Sequence, residues 1–353
     1  MVPGQGCNVL SPGYRFVSVF FIYCRFGAHW YTKGFTHVPR PTASCNPPLR
    51  SVCARHMSWF EGFTSQTITG EGGDIYFRHG GNRGKPALVL LHGFPQTHVM
   101  WHRVAQLLQN DYFLVLPDVR GYGDSSHAPG LPDHSNYSKR GMAADVVAIA
   151  DALALETFFL CGHDRGGRVA HRLALDHSPR VRKLCVIDIA PTLDMYASTN
   201  MEFARAYYHW FHLIQPSPLP ETMIGSNAKA YLHHKLGGWG TGGMAHIEPQ
   251  ALAEYERSFC RPEAIHTACE DYRASAAIDL EHDRASRARG DKISCDTLVL
   301  WGERGVVHRM FKPLDLWQAQ CSAHVNGEAL SAGHFIPEEL PAATADALRN
   351  FMS

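Results

Sequence analysis

Phe158-Phe159-Leu160-Cys161-Gly162-His163-Asp164-Arg165-Gly166-Gly167-Arg168 is the stretch on which the reading of this chain turns. An apolar run of strand type ends at a glycine, a tight turn presents one reactive side chain, and a helix begins at once. That is the layout of a nucleophile elbow, where glycines flank the presented residue because the strained backbone admits no neighbouring Cβ. The presented residue is Asp164, giving Gly-x-Asp-x-Gly. A carboxylate in that position implies attack on carbon and an alkyl-enzyme ester, not an acyl-enzyme. An aspartate after a strand also reads as a plain helix N-cap, so the surrounding chain has to decide.

Upstream, Thr64 to Thr69 and Ile75 to His79 alternate as a hairpin about Gly70, Gly72 and Gly73. Ala87 to Leu91 is a continuous apolar strand that ends in His92-Gly93-Phe94-Pro95. Trp101 to Leu108 reads as a helix, Tyr112 to Leu116 as a strand, Asp118 to Ser125 as a glycine-rich loop, and Tyr137 to Leu155 as a helix. Downstream of the elbow, Val181 to Ile187 is the next strand. Strand alternating with helix predicts a mostly parallel, doubly wound sheet with its site at the carboxyl ends of the strands, where Asp164 would sit.

After Pro191 the text turns aromatic, histidine-rich and helical as far as about Arg289, and reads as a helical cap inserted after the sixth strand. Most aromatics in that insert, among them Phe203, Tyr207, Trp210, Trp239, Tyr255 and Phe259, are expected to pack a second core. Thr297 to Trp301 resumes the sheet, a helix follows near Leu314 to Gln320, Val325 to Leu330 leads into Ser331-Ala332-Gly333-His334, and Leu340 to Phe351 is the last helix. The expected organisation is therefore an extension over 1–56, a first core segment over 57–191, the cap over 192–289 and a second core segment over 290–353.

Composition narrows the partners. The 353 residues are 45% apolar and 19% charged, with 33 basic against 33 acidic side chains. A balanced charge gives nucleic acid or an anionic membrane no handle, and small ligands are the better expectation. No apolar run approaches the roughly 20 residues that span a bilayer. The ten cysteines follow no metal-ligand or redox spacing, and Cys161 and Cys185 lie inside strand-like runs, which reads as a reducing, cytoplasmic setting. Residues 1–56, rich in proline and carrying Cys7, Cys24, Cys45 and Cys53, read as a poorly ordered extension with Met57 opening the catalytic chain.

His92-Gly93-Phe94-Pro95, Arg120-Gly121-Tyr122-Gly123, the elbow, and Gly333-His334 before the final helix follow one another in the order of the α/β-hydrolase fold, which the chain resembles from about Phe63 onward. That fold orders its triad as nucleophile, acid, histidine, so His334 is the candidate base. The acid has two places in the fold. One follows the strand ending Leu300-Trp301-Gly302-Glu303-Arg304-Gly305, where glycine replaces the expected aspartate; the other follows the strand before the cap, where Asp188 stands. A carboxylate ending an apolar strand needs a partner, which favours Asp188 and leaves Glu303 as the fallback.

The residue after the nucleophile is Arg165, with Arg168 one turn on. Side chains at i and i+3 share a helix face, and guanidinium forks match a carboxylate, so the pair suits an acidic ligand, although one arginine could instead pair with a protein acid. His163-Asp164-Arg165-Gly166-Gly167-Arg168, with Gly93-Phe94-Pro95-Gln96, Arg205-Ala206-Tyr207-Tyr208-His209-Trp210 and Glu270-Asp271-Tyr272-Arg273-Ala274, is similar to the haloacetate dehalogenases, the fluoroacetate dehalogenases included. The resemblance implies that Arg165 and Arg168 bind the substrate carboxylate, that His209, Trp210 and Tyr272 hold the leaving halide, and that the Phe94 and Arg165 amides form the oxyanion site. It implies a small haloacid substrate, no metal, no cofactor and a homodimeric assembly. Two alternatives stand beside it. Epoxide hydrolysis would use the same Asp164 and His334, with Tyr272 and Tyr207 or Tyr208 as acids; a non-catalytic member of the fold would merely bind a small acid.

Overall fold

A computed structural model describes residues 58–353; the expected extension and the start at Met57 lie outside the described residues. Eight strands form one sheet in the order β1-β2-β4-β3-β5-β6-β8-β9. They are β1 (Thr64–Gly70), β2 (Gly73–Gly81), β3 (Ala87–Leu91), β4 (Phe113–Pro117), β5 (Phe158–His163), β6 (Val181–Ile187), β8 (Thr297–Gly302) and β9 (Val325–Leu330). β1 and β2 are an antiparallel hairpin whose second strand pairs antiparallel with β4, and every pairing from β4 to β9 is parallel. The sheet is the mostly parallel α/β architecture expected of the chain. β3, β4 and β5 are buried at every position, which is why they read as unbroken apolar runs and not as alternating ones.

The helices α1 (His102–Leu108), α2 (Lys139–Ala152) and α3 (Asp164–Asp176) connect the central strands. The second is shorter than the periodicity suggests. Ser138 caps it by accepting a hydrogen bond from the Gly141 amide, and Ala154, at φ +56°, has already left the helical region.

Between β6 and β8 lie eight helices: α4 (Thr192–Ala197), α5 (Met201–Ala206), α6 (Tyr208–Leu213), α7 (Leu219–Gly225), α8 (Ala228–Trp239), α9 (Pro249–Phe259), α10 (Pro262–Ala276) and α11 (Ile278–Arg289). A short extended segment, β7 (Thr241–Met244), belongs to the same insert and lies outside the sheet. Asparagines cap α5 and α8 by accepting from Phe203 N and Ala230 N, and Gly290 ends α11 at φ +77°. After β8 come α12 (Val306–Met310) and α13 (Pro313–Gln318), and after β9 come α14 (Ile336–Glu339) and α15 (Pro341–Met352). Among the described residues no helix is long and apolar enough to cross a membrane.

Buried charge ties the insert to the sheet. Asp271 on α10 accepts from Arg165 on α3 through two hydrogen bonds (2.7 and 2.8 Å), from Lys139 on α2, and from the Tyr122 hydroxyl at 2.7 Å. All four side chains are nearly free of solvent. A carboxylate shared by two cations and a phenol is well satisfied, whereas removing it would leave Arg165 without a carboxylate partner and Lys139 with Asp279 alone, at 3.7 Å.

Candidate active site

Register places the site. His163 at the end of β5 pairs with Ile187 at the end of β6, so Asp164 and Asp188 are the residues that leave two neighbouring strands side by side. Both adopt left-handed backbone, with φ +46° and +52°. Such a conformation costs an L-residue about 1–3 kcal/mol and persists where the surroundings hold it. At the elbow the surroundings are backbone. A Cβ on Gly166 would come within 2.4 Å of His92 O, and one on Gly93 within 2.6 Å of Asp164 Cβ. Only glycine allows β3, the loop after it and the start of α3 to meet this closely.

Asp164 is 7% exposed. Burial alone would raise its pKa, but His334, His163, Arg165 and Arg168 outweigh that and hold it below the usual carboxylate value. It is therefore ionised at neutral pH. The Phe94 amide donates to its Oδ2 at 3.1 Å. The Arg165 amide makes no hydrogen bond to that carboxylate among the described residues, so one of the two expected backbone donors is in contact.

His334 Nδ1 donates to Asp188 Oδ2 at 2.6 Å, and Asp188 Oδ1 accepts from the Gly302 amide at 3.0 Å. Burial disfavours the imidazolium, yet the hydrogen bond and charge of Asp188, with Asp164 adding to them, raise the His334 pKa. The Asp188 bond fixes the tautomer that leaves Nε2 free to accept a proton. Glu303 is exposed and takes no part. His163 donates from Nε2 to the His334 carbonyl at 2.8 Å and is held neutral, its pKa pushed down to about 3 by burial and by His334.

The two arginines are not equivalent. Arg165 is committed to α10: Nε and Nη2 grip Asp271, Nη2 also reaches Ser275 Oγ at 2.7 Å, and Nη1 is buried without a partner. Among the described residues Arg168 has no carboxylate partner. Its Nη1 donates to Thr192 Oγ1 at 2.8 Å and its Nε is buried without a partner. Burial and the neighbouring Arg165 lower its pKa, the mark of a cation short of negative charge. Each guanidinium lies over a ring from the insert, Arg165 4.2 Å above Tyr272 and Arg168 4.7 Å above Trp210.

His209, Trp210 and Tyr272 come together over this pair. The His209 ring stacks on Phe94 at 6.2 Å and lies 5.6 Å from Tyr272, which is 6.5 Å from Trp210. Among the described residues the Tyr272 hydroxyl and His209 Nδ1 are buried without partners, and the Trp210 indole makes no hydrogen bond. Burial, then Lys235, His334 and the two arginines, push His209 well below the usual histidine pKa, and burial beside Asp164 pushes Tyr272 well up. Both stay neutral, one offering an N–H and the other an O–H. Buried polar groups without partners are rare, and among the described residues Arg165 Nη1, Arg168 Nε, Tyr272 O–H and one ring nitrogen of His209 lack one in the cluster where α3 meets the insert. A set so rich in donors is matched by an anion.

A cavity of about 300 Å³ opens on the His334 and Asp188 side. Arg205, Lys235, Arg304 and Arg309 lie in its walls. Lys235 is 2% exposed and sits 3.6 Å above the Tyr208 ring, and burial pushes its pKa down to about 7. Trp239, expected only to pack the insert, also lines this cavity. Its ring lies 4.5 Å from His209 and 5.5 Å from His334, and its carbonyl accepts from the His334 amide at 2.9 Å.

Residues 86–340 match the model of the alpha/beta hydrolase fold family. The chain is 43% identical to a fluoroacetate dehalogenase from a Burkholderia species over 294 residues, which covers 83% of this chain and 95% of that protein. A soluble epoxide hydrolase from Corynebacterium sp. (strain C12) is 29% identical over 75% of this chain and 90% of its own. Among solved structures, an alpha/beta hydrolase from Nostoc sp PCC 7120 superposes with a TM-score of 0.80 at 51% identity, covering 83% of this chain and 99% of the other.

Proposed function

The chain belongs to the fluoroacetate dehalogenase family of the α/β-hydrolase fold, and from that premise we propose that it hydrolyses the carbon–halogen bond of a small haloacetate, releasing halide and glycolate. The observation that carries the reading is the set of buried donors without partners among the described residues, Arg165 Nη1, Arg168 Nε, His209 and the Tyr272 hydroxyl, of which the arginines and Tyr272 feel the charge of an ionised Asp164. Arg168 and the free arm of Arg165 take the substrate carboxylate, which turns the α-carbon toward Asp164 for in-line attack. The carbon–halogen bond breaks as the Asp164 oxygen bonds to carbon, and halide leaves toward His209, Trp210 and Tyr272. Fluoride is strongly hydrated in water, so fixed N–H and O–H donors must replace that shell.

His334, oriented by Asp188, then takes a proton from water, whose oxygen adds to the Asp164 carbonyl carbon. The negative oxygen formed there is the Asp164 oxygen that faces the Phe94 amide. Collapse breaks the bond between that carbon and the glycolate oxygen, and the proton on His334 passes to the departing glycolate. The cationic walls of the neighbouring cavity suit the arrival of a small anion. The free state of the six cysteines among the described residues supports the reducing, cytoplasmic setting, and a homodimer completes the proposal.

Epoxide hydrolysis is the second reading, favoured by the unpartnered Tyr272 hydroxyl and by the likeness to the Corynebacterium enzyme. Arg168 counts against it, because a neutral epoxide offers a buried cation nothing. The test is direct: free halide from fluoro-, chloro- and bromoacetate supports dehalogenation, and diol from styrene oxide without halide release refutes it.

A further inference from the structure

The base is carried on a loop whose backbone is tied down at each residue around it. The Gly333 amide donates to Glu339 Oε2 at 2.9 Å, the Phe335 amide to Glu339 Oε1 at 3.0 Å, and the His334 amide between them to Trp239 O at 2.9 Å. One carboxylate on α14 thus holds both neighbours of the base. The same Oε2 accepts from the Thr241 amide at 3.1 Å and from its hydroxyl at 2.6 Å, so Glu339 also fastens the turn that carries Trp239 from α8 into β7. A Cβ on Gly333 would lie 2.4 Å from Trp239 O, which shows how closely the two segments approach.

Charge-assisted hydrogen bonds to backbone amides are among the stronger contacts available, and a carboxylate with two oxygens can hold two amides at once. Asp188 sets the tautomer and rotation of the imidazole; it does not set where the His334 Cα stands. We infer that Glu339 is the positioning residue of the base, acting on hydrolysis of the aspartyl ester and not on displacement of halide. The inference rests on the two-step reading above. His334 receives a proton from water in the second step and no proton in the first, so an error in its placement slows ester hydrolysis alone. Thr241 makes the placement depend on the insert, because the hydroxyl and amide that complete the Glu339 carboxylate come from that segment.

The test is rapid-quench kinetics on full-length E339Q with chloroacetate, with intact-protein mass measured in parallel. Glutamine keeps the shape and one acceptor but cannot hold both amides and Thr241. The expected result is a burst of about one halide per active site at the wild-type rate, a steady state slowed by up to ~10²-fold, and a protein population carrying one carboxymethyl group on Asp164. Thr241→Val, which removes one arm and leaves the base loop in place, should show the same pattern more weakly and serves where E339Q folds poorly. First-turnover and steady-state halide release falling together in both variants, with no adduct, would overturn the inference. A wild-type enzyme that releases no halide from any haloacetate would instead refute the reading beneath it.

Discussion

Asp188 and Gly305 face each other at the carboxyl ends of β6 and β8: a Cβ on Gly305 would lie 3.4 Å from Asp188 Oδ1 and 3.6 Å from Oδ2. The two places from which this fold can supply a triad acid therefore converge on one point beside His334. With Asp188 present, a second carboxylate at 305 would meet like charge at close range, and glycine is the compatible residue. Gly305 itself has φ −84°, so a side chain there meets no backbone strain.

The acid should consequently be movable. Asp188→Gly, tolerated at φ +52°, is expected to lower halide turnover on the order of 10³–10⁴, the scale for loss of a triad acid. Adding Gly305→Asp should restore at least about tenfold of that loss, since the new carboxylate enters the space Asp188 vacates. Steady-state halide release by the single and double variants is the measurement; no recovery in a folded double variant would contradict the equivalence of the two positions.

The inequality of the arginines separates binding from stability. Arg168→Met is expected to raise KM for chloroacetate strongly, by the equivalent of about 2–5 kcal/mol for a buried charge pair, and to leave the melting temperature unchanged or higher, because a buried cation without a carboxylate partner is removed. Asp271→Asn should destabilise the fold by about 3–5 kcal/mol, since Arg165 loses its counter-charge and Lys139 keeps only Asp279, at 3.7 Å. Melting curves beside KM values check the contrast. An Arg168→Met enzyme with an unchanged KM would remove the carboxylate-binding role.

What could be read from the sequence was what neighbouring residues decide. The elbow was legible because strand, glycine and helix follow within eleven residues, and Asp188 was legible because a carboxylate closing an apolar strand needs a partner. The pairing of Arg165 was not. Its acid, Asp271, stands 106 residues away on α10, and nothing in a stretch that also fits substrate binding tells which of two arginines will be taken. Trp239 and Glu339 escaped for a related reason: their roles consist of a carbonyl and a carboxylate meeting the His334 loop, and such long-range backbone contacts leave no local pattern. The ends of α2 were overrun because apolar periodicity continues past the point where the backbone turns at Ala154.

A pH profile follows from His334. As the proposed base His334 would work as neutral imidazole, and Asp188 raises its pKa above the ordinary histidine value of 6.5 despite burial. Turnover should therefore be low below that raised pKa and rise with pH through it. In Asp188→Asn the hydrogen bond and charge that raise it are lost while burial remains, so the residual activity should rise at lower pH than in the wild type. A midpoint unchanged or shifted upward in that variant would exclude Asp188 as the group that tunes the base.

Halide selectivity tests the three donors from the insert. Removing one preorganised donor typically costs on the order of 10²–10³ in rate where charge develops in the transition state. His209→Ala should approach that loss with fluoroacetate and show a much smaller one with bromoacetate, whose halide leaves with less help. Equal losses on both substrates, compared by halide release under saturating conditions, would remove His209 from the leaving-group site.

Bonding of Asp164 itself to the substrate carbon leaves its mark on the path of one oxygen atom. With enzyme in excess over chloroacetate, in water enriched in heavy oxygen, a single turnover should yield glycolate whose new hydroxyl oxygen is unlabelled and a peptide carrying one heavy oxygen on Asp164. Labelled glycolate with an unlabelled Asp164 would mean that water attacks the carbon directly, and would contradict an aspartyl-ester intermediate.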